Sequence, residues 1–111
     1  MIKYEVFKKL DMRIGLVKSC EDIPESKNLY KLIVDCGEPQ TRQIITGIKN
    51  FYSADELVDQ KIIILANLEP KKIMGYRSEG MLLAADVEGI PVLLKLDESK
   101  RKIVPPGAKI K

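Results

Sequence analysis

Apolar and polar residues alternate with period two through most of this chain, and clusters of turn formers interrupt the alternation. Met12, Ile14 and Leu16 alternate with Arg13, Gly15 and Val17, which predicts a half-buried first strand with a bulge or sharp bend at Gly15. The turn-rich stretch EDIPESKN then forms a surface loop. In the second strand Tyr30, Leu32, Val34 and Cys36 face one way, with Lys31 and Asp35 on the other side. Gly37 to Thr41 reads as a hairpin turn, and Arg42 and Gln43 open a short third strand through Ile44, Ile45 and Thr46. Ser53, with Glu56 three residues on, has the capping-box spacing and starts a brief helix ending near Val58. Lys61 to Ala66 is apolar on both faces, as a covered fourth strand is. Pro70 ends it, a basic loop follows, and a fifth strand runs from Gly80 to Asp86. Upstream, Tyr4, Phe7 and Leu10 are spaced as one face of a helical turn packed across a barrel end, leaving Lys3, Lys8 and Lys9 outside.

Three strands, a short helix and two strands predict an all-β, five-stranded Greek-key barrel of the OB-fold type, its helix between strands 3 and 4 plugging one end. Residues 1–111 then form one domain, with a barrel over about 10–86 and a C-terminal extension over about 87–111. The extension carries an apolar run at Val92 to Leu94, a charged turn, and Ile103-Val104 before Pro105-Pro106-Gly107. It either pads the barrel or meets a second subunit.

The composition changes this picture mainly by exclusion. A chain of 111 residues, 45% hydrophobic and 32% charged, folds as about one domain, and its net charge of +3 permits an anionic partner without demanding one. With no histidine there is no Ser-His-Asp or Cys-His arrangement, and two cysteines cannot close a structural zinc site. No Walker or G-x-G-x-x-G stretch is present, so no cofactor, no metal and no enzymatic activity is expected; a lysine acting as base stays open. The N-terminus lacks the pattern of a secretory signal and no apolar run approaches a membrane span, so a cytoplasmic protein without a membrane partner is expected. Cys20 and Cys36 are expected to remain reduced there. What remains is the junction from Asn67 to Ala85, where Lys71, Lys72 and Arg77 fall in one loop held between strands. On local pattern alone those cations suit a solvated turn better than a site.

Larger blocks of sequence add a resemblance. FKKLDMRIGLV (7–17), TRQIITGI (41–48), FYSADEL (51–57) and above all ANLEPKKIMGYRSEGMLLAA (66–85) resemble the tRNA-binding domain family, over nearly the whole chain from Phe7 to Ile110. That family comprises stand-alone structure-specific tRNA-binding proteins, the C-terminal domain of many methionyl-tRNA synthetases, and the endothelial monocyte-activating polypeptide module. The resemblance implies an OB-fold that recognises tRNA by shape, without catalysis. Such a protein acts alone or beside methionyl-tRNA synthetase, and the bacterial forms are typically homodimers through the C-terminal extension. Shape recognition suits RNA, whose A-form helix presents phosphates and 2′-hydroxyls rather than a readable major groove.

Carried onto this sequence, the resemblance implies tRNA contacts from Lys31, Arg42, Lys71, Lys72, Arg77, Ser78 and Met81, with Arg42 offering phosphate a bidentate fork. Tyr76, where many members have a small aliphatic residue, suits either stacking on a base or packing within its loop. Gln43 and Asn67 suit either RNA contact or loop anchoring. Leu93, Ile103, Val104, Pro106 and Ile110 fall in the segment that would form the dimer interface. The loop before the second strand departs from the family's H-P-N-A-D-K-L, with Ile23 in place of histidine and Lys27-Asn28 in place of Asp-Lys. Two other functions fit the same fold: a chaperone-like, peptide-binding dimer from a secretion-associated branch of the family, and an assembly scaffold without RNA contact.

Overall fold

A computed structural model describes residues 1–111. After one helical turn, α1 (Tyr4–Phe7), the chain forms β1 (Met12–Asp22), β2 (Tyr30–Asp35), β3 (Arg42–Thr46), α2 (Ala54–Leu57), β4 (Lys61–Leu65), β5 (Lys71–Ile73), β6 (Tyr76–Ser78), β7 (Met81–Leu82), β8 (Ala84–Val87) and β9 (Ile90–Leu93). An antiparallel sheet ordered β3-β2-β1-β4-β7 curls into a nearly closed barrel, the expected OB-fold, with β5-β6 and β8-β9 as separate hairpins. β1 is long enough to pair twice: Met12 to Leu16 faces β4, and Leu16 to Asp22 faces β2.

Alternation holds where it was cleanest. Leu32, Val34 and Cys36 are fully buried and pack with Val17, Ile44, Ile62 and Ile64. The capping box forms as read. Ser53 Oγ accepts from the Glu56 amide and Glu56 Oε1 accepts from the Ser53 amide, each at 3.2 Å. This fixes a helix too short to persist alone and presses Leu57 into the barrel end.

Three expectations are corrected. The irregularity in β1 lies between Val17 and Ser19, not at Gly15. Gly15 is instead a close-packing position, where a Cβ would sit 2.5 Å from Val34 Cγ1. The turn α1 buries nothing, and Tyr4 and Leu10 stay exposed. The single fifth strand is two: β7 pairs with β4, Leu83 donates to Ile63, and the chain then leaves the barrel to form the β8-β9 hairpin. The end of the chain is stitched into the sheet. Gly107 donates to Ile14, Ile14 to Ala108, and Ile110 to Met12, at 2.7, 2.8 and 2.9 Å. Gly107 meets Gly37 so closely that a Cβ on Gly37 would lie 2.6 Å from the Pro106 carbonyl. Asp11 binds this segment electrostatically, gripping Arg13 at 2.8 Å and Lys109 at 2.6 Å.

Candidate nucleic-acid interface

The basic loop is a β-hairpin. Its two-residue turn, Met74-Gly75, has positive φ at both positions (50° and 85°), the backbone that matches strand twist in tight hairpins and that glycine supplies without strain. Register sorts its side chains: Lys71 lies opposite Ser78 and Ile73 opposite Tyr76, while Lys72 faces Arg77 directly on the other side. Like charges in directly opposed positions destabilise a hairpin. Neither Lys72 nor Arg77 has a carboxylate within ion-pair distance, and neither does Lys71. All three are exposed, so the hairpin holds a concentrated positive charge that the protein leaves uncompensated.

Arg42 and Ser78 do not belong to that surface. The Arg42 fork is spent on Glu38, with Nε to Oε1 at 2.7 Å and Nη2 to Oε2 at 3.0 Å. Its Nη1 donates to the Ala66 and Glu79 carbonyls at 2.7 and 2.8 Å. That hydrogen bonding holds the Glu38 carboxyl below its ordinary range and the guanidinium above its own. Ser78 is 5% exposed; its Oγ accepts from the Ile45 amide at 3.0 Å and donates to the Gly80 carbonyl at 3.1 Å. Beside it, the Glu79 carboxylate accepts from the Gln43 amide at 3.1 Å, and the Glu79 amide donates to the Gln43 carbonyl at 2.8 Å. Side-chain oxygens thus replace backbone carbonyls along β3, which has no full ladder to β6 or β7. The T-R-Q and R-S-E-G stretches close the barrel and anchor the hairpin, a positioning role that their polar chemistry disguises in the sequence.

The remaining expected residues divide similarly. Lys31 pairs with Glu21 at 3.4 Å and places Nζ 5.7 Å from the Tyr76 ring centroid, so Tyr76 is held against β2 instead of standing free. Met81 opens β7 but is 45% exposed. Gln43 Nε2 donates to the Arg77 carbonyl, and Asn67 bridges the Asp11 amide and the Lys9 carbonyl, so both anchor loops. In the extension, Leu93 turns inward onto the core and its amide donates to the Tyr52 hydroxyl. Val104 is half-buried, while Pro106 and Ile110 sit on the segment bound to β1. Ile103 alone of that set stands out, 78% exposed. The alternate positions around Leu93, namely Ile90, Val92 and Leu94, face outward at 49%, 44% and 42% exposure. Period two around Leu93 was the signal that identifies them.

No group of acidic, histidine or cysteine side chains clusters as a metal site would, and no helix is long and apolar enough to cross a membrane. Both cysteines are free, and burial pushes the Cys20 thiol up to about 11.

The model of a family described as "Putative tRNA binding domain" matches residues 12–110. The methionine–tRNA ligase of Methanothrix thermoacetophila is 49% identical over 111 residues, all of this chain but 16% of the ligase. That of Methanococcus vannielii is 50% identical over 87% of the chain and 14% of the ligase, so the chain spans a small part of these relatives. Among solved structures, a methionyl-tRNA-synthetase-related protein from Pyrococcus horikoshii is similar at a TM-score of 0.89 and 40% identity, covering 100% of this chain and 98% of that one. The CsaA chaperone protein of Picrophilus torridus is similar at 0.86 and 34% identity, with both chains fully covered. The chain therefore belongs to the tRNA-binding domain family, as a domain related to the end of methionyl-tRNA synthetase and to the stand-alone proteins of that fold.

Proposed function

We propose that this domain binds folded tRNA without chemistry, through the β5-β6 hairpin, alone or beside a methionyl-tRNA synthetase whose effective concentration at its substrate it raises. The opposed, carboxylate-free pair of Lys72 and Arg77 carries this reading. Like-charge repulsion across two strands is a standing cost that a phosphate between the two cations removes. Lys71 adds a third cation on the hairpin's other face, the face that carries Tyr76 beside Lys31. Met81, exposed at the start of β7 three residues after the hairpin ends, is a further contact in this proposal.

The functional unit in this proposal is a homodimer. Ile90, Val92 and Leu94 form an outward apolar row with Ile103 nearby in the extension, the kind of surface a second copy covers. Competition of unfractionated tRNA against a short RNA hairpin of equal phosphate concentration tests the main reading. The folded tRNA is expected to win, with affinity falling steeply as salt rises, and equal binding would overturn recognition by shape.

The similarity to a CsaA chaperone favours a second reading, in which extended peptide occupies an open cavity of about 720 Å³ beside Arg42, lined by Glu38, Asn67, Glu69 and Glu79. Displacement of bound tRNA by an unfolded polypeptide at comparable concentration separates the two. The tRNA reading expects none.

A further inference from the structure

We infer that a second RNA-phosphate site lies in the crevice where the C-terminal extension crosses the start of β4, an inference that rests on the tRNA-binding reading above. The crevice, about 290 Å³, is lined by Gln60, Lys61, Lys95, Leu96, Glu98 and Arg101, three cations against one carboxylate. It continues into a neighbouring cavity of about 250 Å³ that shares Gln60, Lys61 and Lys95, is floored by Tyr52, Ile62 and Leu93, and carries a second carboxylate, Glu56, so the joined crevice sets three cations against two carboxylates.

Two of the three cations are fixed by neutral partners. Arg101 donates through Nη2 to the Asp59 carbonyl at 2.8 Å, and Lys61 donates through Nζ to the Arg101 carbonyl at 2.8 Å. Asp59 adopts φ 69° to present that carbonyl. Backbone oxygens therefore hold these side chains in place without cancelling their charge. None of Lys61, Lys95 or Arg101 has an ion-pair partner, a property they share with most of the chain's cations; what sets Lys61 and Arg101 apart is that backbone carbonyls hold them in place. Arg101 keeps Nε and Nη1 free, and Lys61 keeps two N–H groups. Fixed, unneutralised donors around a crevice wide enough for a phosphate, beside an aromatic and aliphatic floor, make a cradle for a phosphodiester with its ribose and base. Lys100 and Lys102 add two cations along the same segment, which also carries Asp97. None of these cations belongs to the β5-β6 hairpin, so the site is an independent point of attachment.

Lys95→Glu is the direct probe, because Lys95 is exposed and makes no hydrogen bond, so the fold has no reason to change. With the intact chain and total tRNA, this substitution is expected to make the plot of log affinity against log salt shallower by about 1, and addition of Arg101→Gln to bring the loss to about 2. A slope unchanged by both, while substitution of the hairpin lysines still lowers it, overturns the site and leaves the main reading standing. If the unsubstituted chain binds no tRNA, the main reading fails instead. The crevice is then judged by titrating inorganic phosphate and adenosine monophosphate into the isotope-labelled protein. Amide shifts at Gln60, Lys61 and Lys95 that vanish in Lys95→Glu sustain a phosphate site, and their absence overturns it.

Discussion

Replacing Arg42 separates a side chain that closes the barrel from one that holds phosphate. Arg42→Ala removes a bidentate contact to Glu38 and the donors to the Ala66 and Glu79 carbonyls. A charge-assisted contact is worth roughly 1.5–3 kcal/mol and a hydrogen bond to a neutral carbonyl about 1 kcal/mol. Arg42 and Glu38 are partly exposed, and Glu38 retains Arg13 at 3.7 Å, so water and that neighbour recover part of the loss. The expected net cost is about 2–4 kcal/mol. For a domain of this size that lowers the melting temperature by about 8–16 °C, taking ~4 °C per kcal/mol. Arg42→Lys should lose most of the same stability, because an ammonium cannot satisfy a carboxylate fork and two carbonyls together. Urea unfolding followed by far-UV circular dichroism, with the salt dependence of tRNA binding measured on the same variants below their melting points, reads both quantities. An Arg42→Ala protein within about 0.5 kcal/mol of the parent, whose salt slope nevertheless drops by about 1, would refute the structural assignment and restore Arg42 as a phosphate ligand.

Gly15→Ala forces a methyl group against Val34 and should cost about 1–3 kcal/mol in urea unfolding; a neutral result would mean that β1 is less tightly packed than described. Hydrogen bonds from Arg13 and Lys109 hold Asp11 well below the usual carboxylate range, and Arg42 lowers Glu38. Their contribution is therefore full above the unfolded carboxylate value near pH 4 and is lost as pH falls below it; Asp11→Asn should flatten that acid limb of the stability profile. Val92→Asp with Ile103→Asp should give monomers by light scattering without lowering the melting temperature of the monomeric fold. A persistent dimer would move the subunit interface elsewhere.

The barrel was legible because its defining signals are local: period two in β2, the capping box at Ser53, and glycine and proline between strands. Less visible were contacts that depend on where distant segments meet. Pattern alone does not reveal that Gly107 docks on Gly37, which makes the end of the extension a strand-like partner of β1. The resemblance points to polar residues in these blocks, and in the fold Arg42 and Ser78 brace a seam between β3 and β6 that has no continuous backbone ladder. Their sequence signature is the same for a ligand and for a brace. One cue was present for Arg42, a glutamate four residues before it. Leu93 shows the opposite ambiguity: read as an outward residue, it turns in onto the core, and its period-two neighbours Val92 and Leu94 face outward.

The most direct test of the account is the salt dependence of tRNA binding by the parent chain and by Lys71→Ala/Lys72→Ala/Arg77→Ala. Loss of three phosphate contacts should reduce the slope of log affinity against log salt by about 2–3, with unfolding unchanged or made harder as the Lys72 and Arg77 repulsion disappears. An identical slope in the two proteins would contradict the claim that this hairpin is where the domain meets RNA.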